Sequence, residues 1–267
     1  MILRVTVAFL LLSTVALPQS VQALAIDDVF HFRINRGPNQ VGQQAGDVVA
    51  VGAQQIVPSG PPTTVTATQG NTTRSLAFVP FSFLPDLYTS VQPFNPGLVD
   101  SWTLTVTNGV ETVTALTPPI PNPKIIPLVT GLQIVGTGPT PTLQWTLPNL
   151  SGFSVDQLGV RVFDLDHPVG GVGDIVFDNS LSSQALGSNA TSFVIPDGIL
   201  QIGTNYAFSV TANDFESAAT FGSFVSNRSE TFSDPFQPVP EPATLLLFGS
   251  TAAGLALARW RRSRGKQ

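Results

Sequence analysis

Four aspartates and one histidine that lie close together are the residues of this chain best suited to binding a metal ion. They are Asp164, Asp166, His167, Asp174 and Asp178, spread over fifteen residues rich in glycine. Oxygen ligands on a surface loop are what Ca²⁺ prefers. Their spacing does not match the EF-hand pattern, however, and aspartates in turns commonly accept hydrogen bonds from the nearby backbone. The sequence therefore favours an ordinary polar loop, and we predict no metal and no cofactor.

Residues for hydrolytic catalysis are few. The chain has two histidines, His31 and His167. A Ser-His-Asp triad needs a histidine that touches a nucleophile, and the sequence has no nucleophile-elbow glycine motif to supply one. Glycoside cleavage by two carboxylates stays an alternative, although the only glutamates of the body are Glu111, Glu216 and Glu230. We predict no catalytic residue and expect that the protein is not an enzyme.

The charge of the body limits its partners. Between Ile26 and Pro238 there are six basic and sixteen acidic side chains, a net charge of −10. Nucleic-acid binding needs a basic surface, so we expect no nucleic-acid partner. The chain has no cysteine, so the hydrophobic core must stabilise the fold without disulfides.

Alternating side chains in the first half predict the strands of a β-sheet. Trp102, Leu104 and Val106 alternate with threonines, which is typical of a half-buried strand. Asn108-Gly109 follows and favours a two-residue type I′ turn into a second strand that ends near Leu116. Five prolines then fall between residues 118 and 127, which indicates a semi-rigid linker. We therefore predict a β-sandwich-like domain at 26–117, a linker at 118–127 and a second domain at 128–236.

The second half has the same alternating pattern. Leu143, Trp145 and Leu147 share one face of a predicted strand, and another strand covers Leu158–Phe163. Tyr206, Phe208, Val210 and Ala212 share one face of a third. Several short strands separated by turn residues favour an antiparallel sandwich.

This second half resembles a fibronectin type III domain. Trp145 stands where that family has a core tryptophan, and the series Leu200, Gly203, Thr204, Tyr206, Val210 and Ala212 matches its leucine, glycine-threonine, tyrosine and valine positions. The resemblance implies a tyrosine corner, in which the Tyr206 hydroxyl bonds back to the chain a few residues earlier. A related immunoglobulin-like sandwich of different topology is the alternative. The predicted fold class is all-β, with two sandwich-like domains.

The C-terminal segment 239–267 predicts a short membrane span. Residues 243–258 carry no charge, and as a helix they would extend roughly 24 Å, slightly less than a bilayer core of roughly 30 Å. A basic cluster follows, which by the positive-inside rule leaves this end in the cytoplasm. The cluster consists of Arg259, Arg261, Arg262, Arg264 and Lys266.

The same segment resembles the PEP-CTERM sorting signal of Gram-negative bacteria. It begins with Pro240-Glu241-Pro242, continues with the short apolar span and ends in the basic cluster. The resemblance implies recognition and cleavage by an exosortase, and delivery to the outer surface.

The N-terminus predicts export. Arg4 precedes an apolar run from Val5 to Leu17, and small residues at positions 21–25 offer cleavage after Ala23 or Ala25. We expect a signal peptide at 1–25, a transient inner-membrane intermediate, and then a secreted or cell-surface protein with a structural or adhesive role, whose partners include extracellular polysaccharide or surface proteins. The alternatives are a polysaccharide-active enzyme, a carbohydrate-binding accessory protein, or a permanently tethered periplasmic binding protein.

Overall fold

The structure, a computed structural model, describes residues 23–57, 64–84, 87–180, 184–215 and 223–240. The predicted all-β class is confirmed, because these residues form β-strands and one 3₁₀ turn at Pro96–Leu98. No helix in the described ranges is long and apolar enough to cross a membrane. Of the predicted signal peptide at 1–25, residues 1–22 with the predicted signal helix lie outside the described residues, and so does the predicted transmembrane helix 243–258.

The strands of the first half are rich in β-branched residues, which suit a pleated surface. Their bounds are β1 Ala25–Arg36, β2 Gly46–Val57, β3 Thr64–Gln69, β4 Thr72–Ser75, β5 Ala77–Val79, β6 Leu87–Pro93, β7 Thr103–Thr107 and β8 Thr112–Leu116. Those of the second half are β9 Thr130–Val135, β10 Thr142–Thr146, β11 Gln157–Val169, β12 Val172–Asp178, β13 Leu186–Gly187, β14 Ser192–Val194, β15 Tyr206–Phe215 and β16 Ser223–Phe232.

One large sheet runs through both halves of the molecule. Its strand order is β12-β11-β15-β16-β1-β2-β6-β5, and β13 pairs with β11. Strands β1 and β16 join the halves and run parallel, with Val29 opposite Ser223 and Arg36 opposite Glu230. The other pairs in this sheet are antiparallel.

Two smaller sheets cover neighbouring parts of the large sheet. The sheet β4-β3-β7-β8 packs on the first half around the fully buried Trp102, and the sheet β14-β10-β9 packs on the second half around Trp145. Each half therefore has its own hydrophobic core.

The second half has the strand arrangement expected of a fibronectin type III-like sandwich. In this half, β9, β10 and β14 form one sheet, and β11, β12, β15 and β16 belong to the other. The predicted tyrosine corner is confirmed, because the Gln201 N–H donates to the Tyr206 hydroxyl oxygen at 3.0 Å. Trp145 is buried as predicted, and its indole N–H donates to the Ala190 carbonyl at 2.8 Å.

The predicted hairpin is confirmed, but its turn is longer than expected. Thr107 pairs with Thr112, so four residues connect β7 and β8 where the sequence predicted two. Gly109 takes a φ of 87°, and the Asn108 side chain accepts from the Val110 and Glu111 N–H groups. These side-chain bonds stabilise the wider turn in place of a type I′ turn.

The proline-rich segment 118–127 is fastened to the large sheet, whereas the sequence predicted a spacer. The Asn35 side chain donates to the Ile126 carbonyl at 2.9 Å, and the Asn227 side chain donates to the Asn122 carbonyl and accepts from the Lys124 N–H. Ile120 and Ile126 are fully buried. We call residues 118–127 the strap, because they lie across β1 and β16.

The predicted domain boundary at the strap separates the cores around Trp102 and Trp145, but strands on either side of it pair with each other. The ladder between β1 and β16 joins residues of the predicted domain 26–117 to residues of the predicted domain 128–236. Whether the two domains form separate folding units stays a prediction.

Candidate functional site

Five charged side chains are buried together on one face of the large sheet. Alternate residues of a strand point to the same face, so Arg36 in β1 and Arg228 and Glu230 in β16 meet there with Arg161 in β11 and Asp178 in β12. Each of these residues is at most 8% exposed. The sequence analysis did not predict this group, which we call the charged cluster.

Glu230 lies at the centre of the charged cluster. It accepts from Arg36 at 3.0 Å, from Arg161 at 3.2 Å and from the Ser209 hydroxyl at 3.1 Å. Burial by itself would raise the pKa of Glu230, but the positive charges of Arg36, Arg161 and Arg228 outweigh it and lower the pKa to about 2. Glu230 is therefore held as a carboxylate.

Arg161 connects Glu230 to Asp178. Its Nε donates to Asp178 at 2.7 Å, and another nitrogen donates to the Ser180 hydroxyl. Burial opposes the charge of Arg161, but Asp178 and Glu230 overcome this and raise its pKa. The guanidinium of Arg161 is thus neutralised by its neighbours.

Arg228 is the cation of the cluster without a carboxylate of its own. Its Nε donates to the Asn213 side chain at 2.6 Å, and its guanidinium carbon lies 4.6 Å from the centre of the Phe32 ring. Its Nη2 is buried and has no hydrogen-bond partner among the described residues. Burial, together with repulsion from Arg161, lowers the pKa of Arg228 to about 9.

A cavity of about 270 Å³ opens beside the charged cluster. Arg36, Arg161 and Arg228 contribute to its wall, and most of the remaining lining is apolar. The apolar lining includes Phe30, Phe32, Ile34, Ala50, Val79, Phe81, Leu84, Leu87, Val91, Val172 and Ile175. The cavity therefore combines a large apolar wall with a positively charged region.

The aspartates that the sequence singled out are used separately, as hydrogen-bond acceptors. Asp164 accepts from the N–H groups of Asp166 and His167, Asp166 accepts from Asn205, and Asp174 accepts from Ser82. Asp178 belongs to the charged cluster. In the described parts of the chain no group of three or more acidic or histidine side chains is arranged to hold a metal ion.

The two histidines have opposite environments. His167 is exposed and lies 2.9 Å from Asp164, which raises its pKa. His31 is fully buried, and its ring nitrogens lie 3.1 and 3.0 Å from the carbonyl oxygens of Pro118 and Leu98. Burial lowers the pKa of His31 although these carbonyls oppose the change.

The described part of the C-terminal segment is bonded to the body up to the start of the predicted sorting motif. The Gly203 N–H donates to the Pro238 carbonyl, and the Val239 N–H donates to the Thr137 carbonyl at 2.8 Å. Pro240 is the last described residue. The other predicted sorting residues, Glu241, Pro242, Arg259, Arg261, Arg262, Arg264 and Lys266, lie outside the described residues, as does Glu216.

Comparison with known proteins identifies the C-terminal segment. Residues 238–262 match the PEP-CTERM protein-sorting motif. The chain is thus an all-β protein that carries a PEP-CTERM sorting motif, and this motif indicates export and sorting to the cell surface.

The remaining comparisons are less informative. No curated protein matches the chain. Among solved structures it is similar to the crystal structure of domains A168–A170 of titin, with 14% identity, a TM-score of 0.30 and coverage of 80% of this chain. The chain spans 62% of the length of that titin fragment.

Proposed function

We propose that the protein is an exosortase-processed component of the cell surface or extracellular matrix, with a structural or adhesive role. The observation that carries this proposal is the sorting motif at 238–262, whose first residues, Pro238 and Val239, are hydrogen-bonded to the body. A processing enzyme would thus meet the motif next to the folded body. Pro240, Glu241 and Pro242 would be recognised, and the basic cluster 259–266 would hold the precursor in the inner membrane until cleavage.

The absence of catalysis is part of this proposal, and the charges of the cluster support it. A glycosidase needs one carboxylic acid that keeps its proton near neutral pH. Glu230 has the opposite property, because its neighbours lower its pKa to about 2. Asp178 is bound to Arg161, so this carboxylate pair does not supply the required acid.

Binding would use loops and sheet edges. A carbohydrate-binding accessory role requires exposed aromatic side chains aligned on one face. Within the described ranges Phe83, which is 45% exposed, is the one aromatic among the large exposed hydrophobic residues. This observation favours the structural or adhesive role over the accessory role.

We further propose that the signal peptide is removed after Ala23. Leu24 is 6% exposed, and its backbone nitrogen donates to the Glu111 carboxylate at 2.9 Å. Cleavage after Ala23 would turn this nitrogen into an ammonium group and strengthen the bond to Glu111. Cleavage after Ala25 would instead remove Leu24 from the core.

The test is the intact mass of the native protein in medium, surface and inner-membrane fractions. We expect a surface or secreted form that begins at Leu24 and lacks the apolar segment and basic tail. The Glu241→Ala variant should accumulate as the membrane-bound precursor, because it is not cleaved. Asp234→Ala, which removes a negative charge from the exposed segment just before the motif, should be processed normally. A full-length tail found only in the inner membrane would contradict the sorting proposal and favour a tethered periplasmic protein.

A further inference from the structure

The cavity beside the charged cluster has the chemistry of a binding site for an amphipathic anion. Among the described residues its charges do not balance, since three guanidinium groups (Arg36, Arg161, Arg228) face two carboxylates (Asp178, Glu230). Both carboxylates are engaged by Arg36 and Arg161. The excess positive charge therefore resides at Arg228.

Arg228 is placed to receive an anion. It is 1% exposed, it lines the cavity, and its Nη2 lacks a hydrogen-bond partner among the described residues. A buried cation without a counter-charge is costly, because desolvation penalises the charged form. An anion in the cavity would remove that cost with a charge-assisted hydrogen bond.

The rest of the cavity lining is mostly apolar, so it suits an apolar group on the same ligand. Two hydrophobic clusters contribute to its lining, one through Phe30, Phe32 and Ile34 and the other through Phe81, Val172 and Ile175. An apolar cavity of about 150 Å³ holds benzene, and sites for drug-sized molecules begin at about 300 Å³. A volume of about 270 Å³ accommodates a ligand of about ten heavy atoms by this comparison.

Part of the cavity wall comes from residues that are exposed to solvent. Gly42 and Gln44, from the loop between β1 and β2, contribute to its wall and are exposed to solvent. Gly42 adopts a φ of 83°, and a side chain added there would collide with the backbone of Gly171. The loop between β1 and β2 thus closely approaches the turn between β11 and β12 beside the cavity.

We propose that this cavity binds a small amphipathic monoanion, with its apolar body against Phe30, Phe32 and Ile175 and its acid group paired with Arg228. The ligand class is a carboxylate carrying an alkyl or aryl body of about ten heavy atoms in total. This inference is independent of the sorting route and of an adhesive role, because it is tested on purified protein.

The experiment is calorimetric titration of the processed protein with octanoate, with 1-octanol and octylammonium as probes of similar shape and different charge. We expect octanoate to bind about 10- to 100-fold more tightly than 1-octanol, since a hydrogen bond to a charged group is stronger than one to a neutral group. Octylammonium should not bind, because its charge repels Arg228. Octanoate should also raise the thermal unfolding temperature.

Arg228→Met tests the assigned residue. It replaces the guanidinium with an apolar side chain, and we expect it to lose the preference for octanoate over 1-octanol. The matched control is Arg74→Met, because Arg74 lies in β4 of the other sheet and does not line the cavity.

Equal affinity of the wild-type protein for octanoate and 1-octanol, or no binding of either, would overturn the proposal without requiring any variant. Unchanged octanoate affinity in a folded Arg228→Met protein would also overturn it. If that variant does not fold, Arg228→Lys keeps the charge and should retain the preference for octanoate.

Discussion

Glu230 connects four adjacent strands through its side chain. It lies in β16 and bonds to Arg36 in β1, Arg161 in β11 and Ser209 in β15. Arg36 and Glu230 are 194 residues apart in the sequence. A single carboxylate thus helps to fix the middle of the large sheet.

Replacing Glu230 should be costly. Glu230→Gln keeps the shape but leaves Arg36 and Arg161 without their shared counter-charge, and removing one partner of a buried ion pair costs about 3 to 5 kcal/mol. Urea unfolding should show this loss, whereas Asp197→Asn at an exposed position should change stability by less than about 0.5 kcal/mol.

The lowered pKa of Glu230 predicts a matching pH effect. Its contribution is present above the ordinary value of 4.5 and is lost as the pH falls towards about 2. Equal acid sensitivity of Glu230→Gln and the wild-type protein would contradict this assignment.

The two histidines should give opposite pH effects. The pKa of His31 is lowered from 6.5, so the unfolded chain binds more protons there and stability falls as the pH falls below 6.5. The pKa of His167 is raised, so its contribution is present below 6.5 and is lost as the pH rises through its folded value. His167→Asn should therefore show a larger fall in urea midpoint than the wild-type protein between about pH 7.5 and 5.5. A midpoint that rises over this range in His167→Asn would refute the assignment for His31.

At the scale of elements, the strap shows how side chains can override a local preference. Its proline content indicates an extended segment without internal hydrogen bonds. The prolines thus predict the conformation of the backbone but not its hydrogen-bond partners. The sequence does not reveal that Asn35 and Asn227, far away in the chain, supply the missing bonds. A spacer and a strap thus have the same local signature.

Hydrogen exchange distinguishes a strap that is bonded to the sheet from a free spacer. The Lys124 N–H should be protected in the wild-type protein, because it donates to Asn227 at 2.8 Å. Asn227→Ala should accelerate its exchange about fivefold or more, since a lost hydrogen bond is worth about 1 kcal/mol or more. Asn149→Ala, which alters an exposed turn, is the control and should leave the exchange rate of the Lys124 N–H unchanged. Exchange of the wild-type Lys124 N–H at the rate of an unfolded peptide would show that the strap is free.

Which elements could be predicted depends on how local their causes are. The hairpin β7–β8 and the buried face of β15 follow from alternating side chains within a few residues, whereas the tyrosine corner at Tyr206 is implied by the resemblance to the fibronectin type III family. The pairing of β1 with β16 has no such pattern, because its partners are almost the whole chain apart. The charged cluster left one signal, since Arg161 interrupts an apolar strand in a body with only six basic residues.

At the scale of the whole molecule, the two largest hydrophobic clusters of the described residues share one sheet. The core around Trp102 and the core around Trp145 lie on different sides of the strap in sequence, yet the parallel ladder of β1 and β16 joins their strands. Unfolding either half exposes the edge of the other, so we expect the two cores to unfold together.

Two single-tryptophan reporters test this cooperation. Trp145→Phe leaves Trp102 as the probe of the first core, and Trp102→Phe leaves Trp145 as the probe of the second, with Trp260→Phe in both. Each substitution shifts stability by itself, so each reporter is also followed by circular dichroism. We expect the fluorescence and dichroism midpoints of each reporter to coincide, as in a two-state transition. Separate transitions within one reporter would favour the predicted division into independent domains 26–117 and 128–236.

The parallel ladder has a consequence for the proposed export route. If the chain is translocated from its N-terminus, the first strand of the body would leave the membrane long before its partner, because β16 lies near the C-terminal end of the body. Until Ser223–Phe232 follows, one edge of β1 has no partner, and unpaired edges favour aggregation. On this route the sheet would close only when translocation has nearly reached the sorting motif. Assembly of the fold and arrival of the motif at its processing enzyme would then be almost simultaneous.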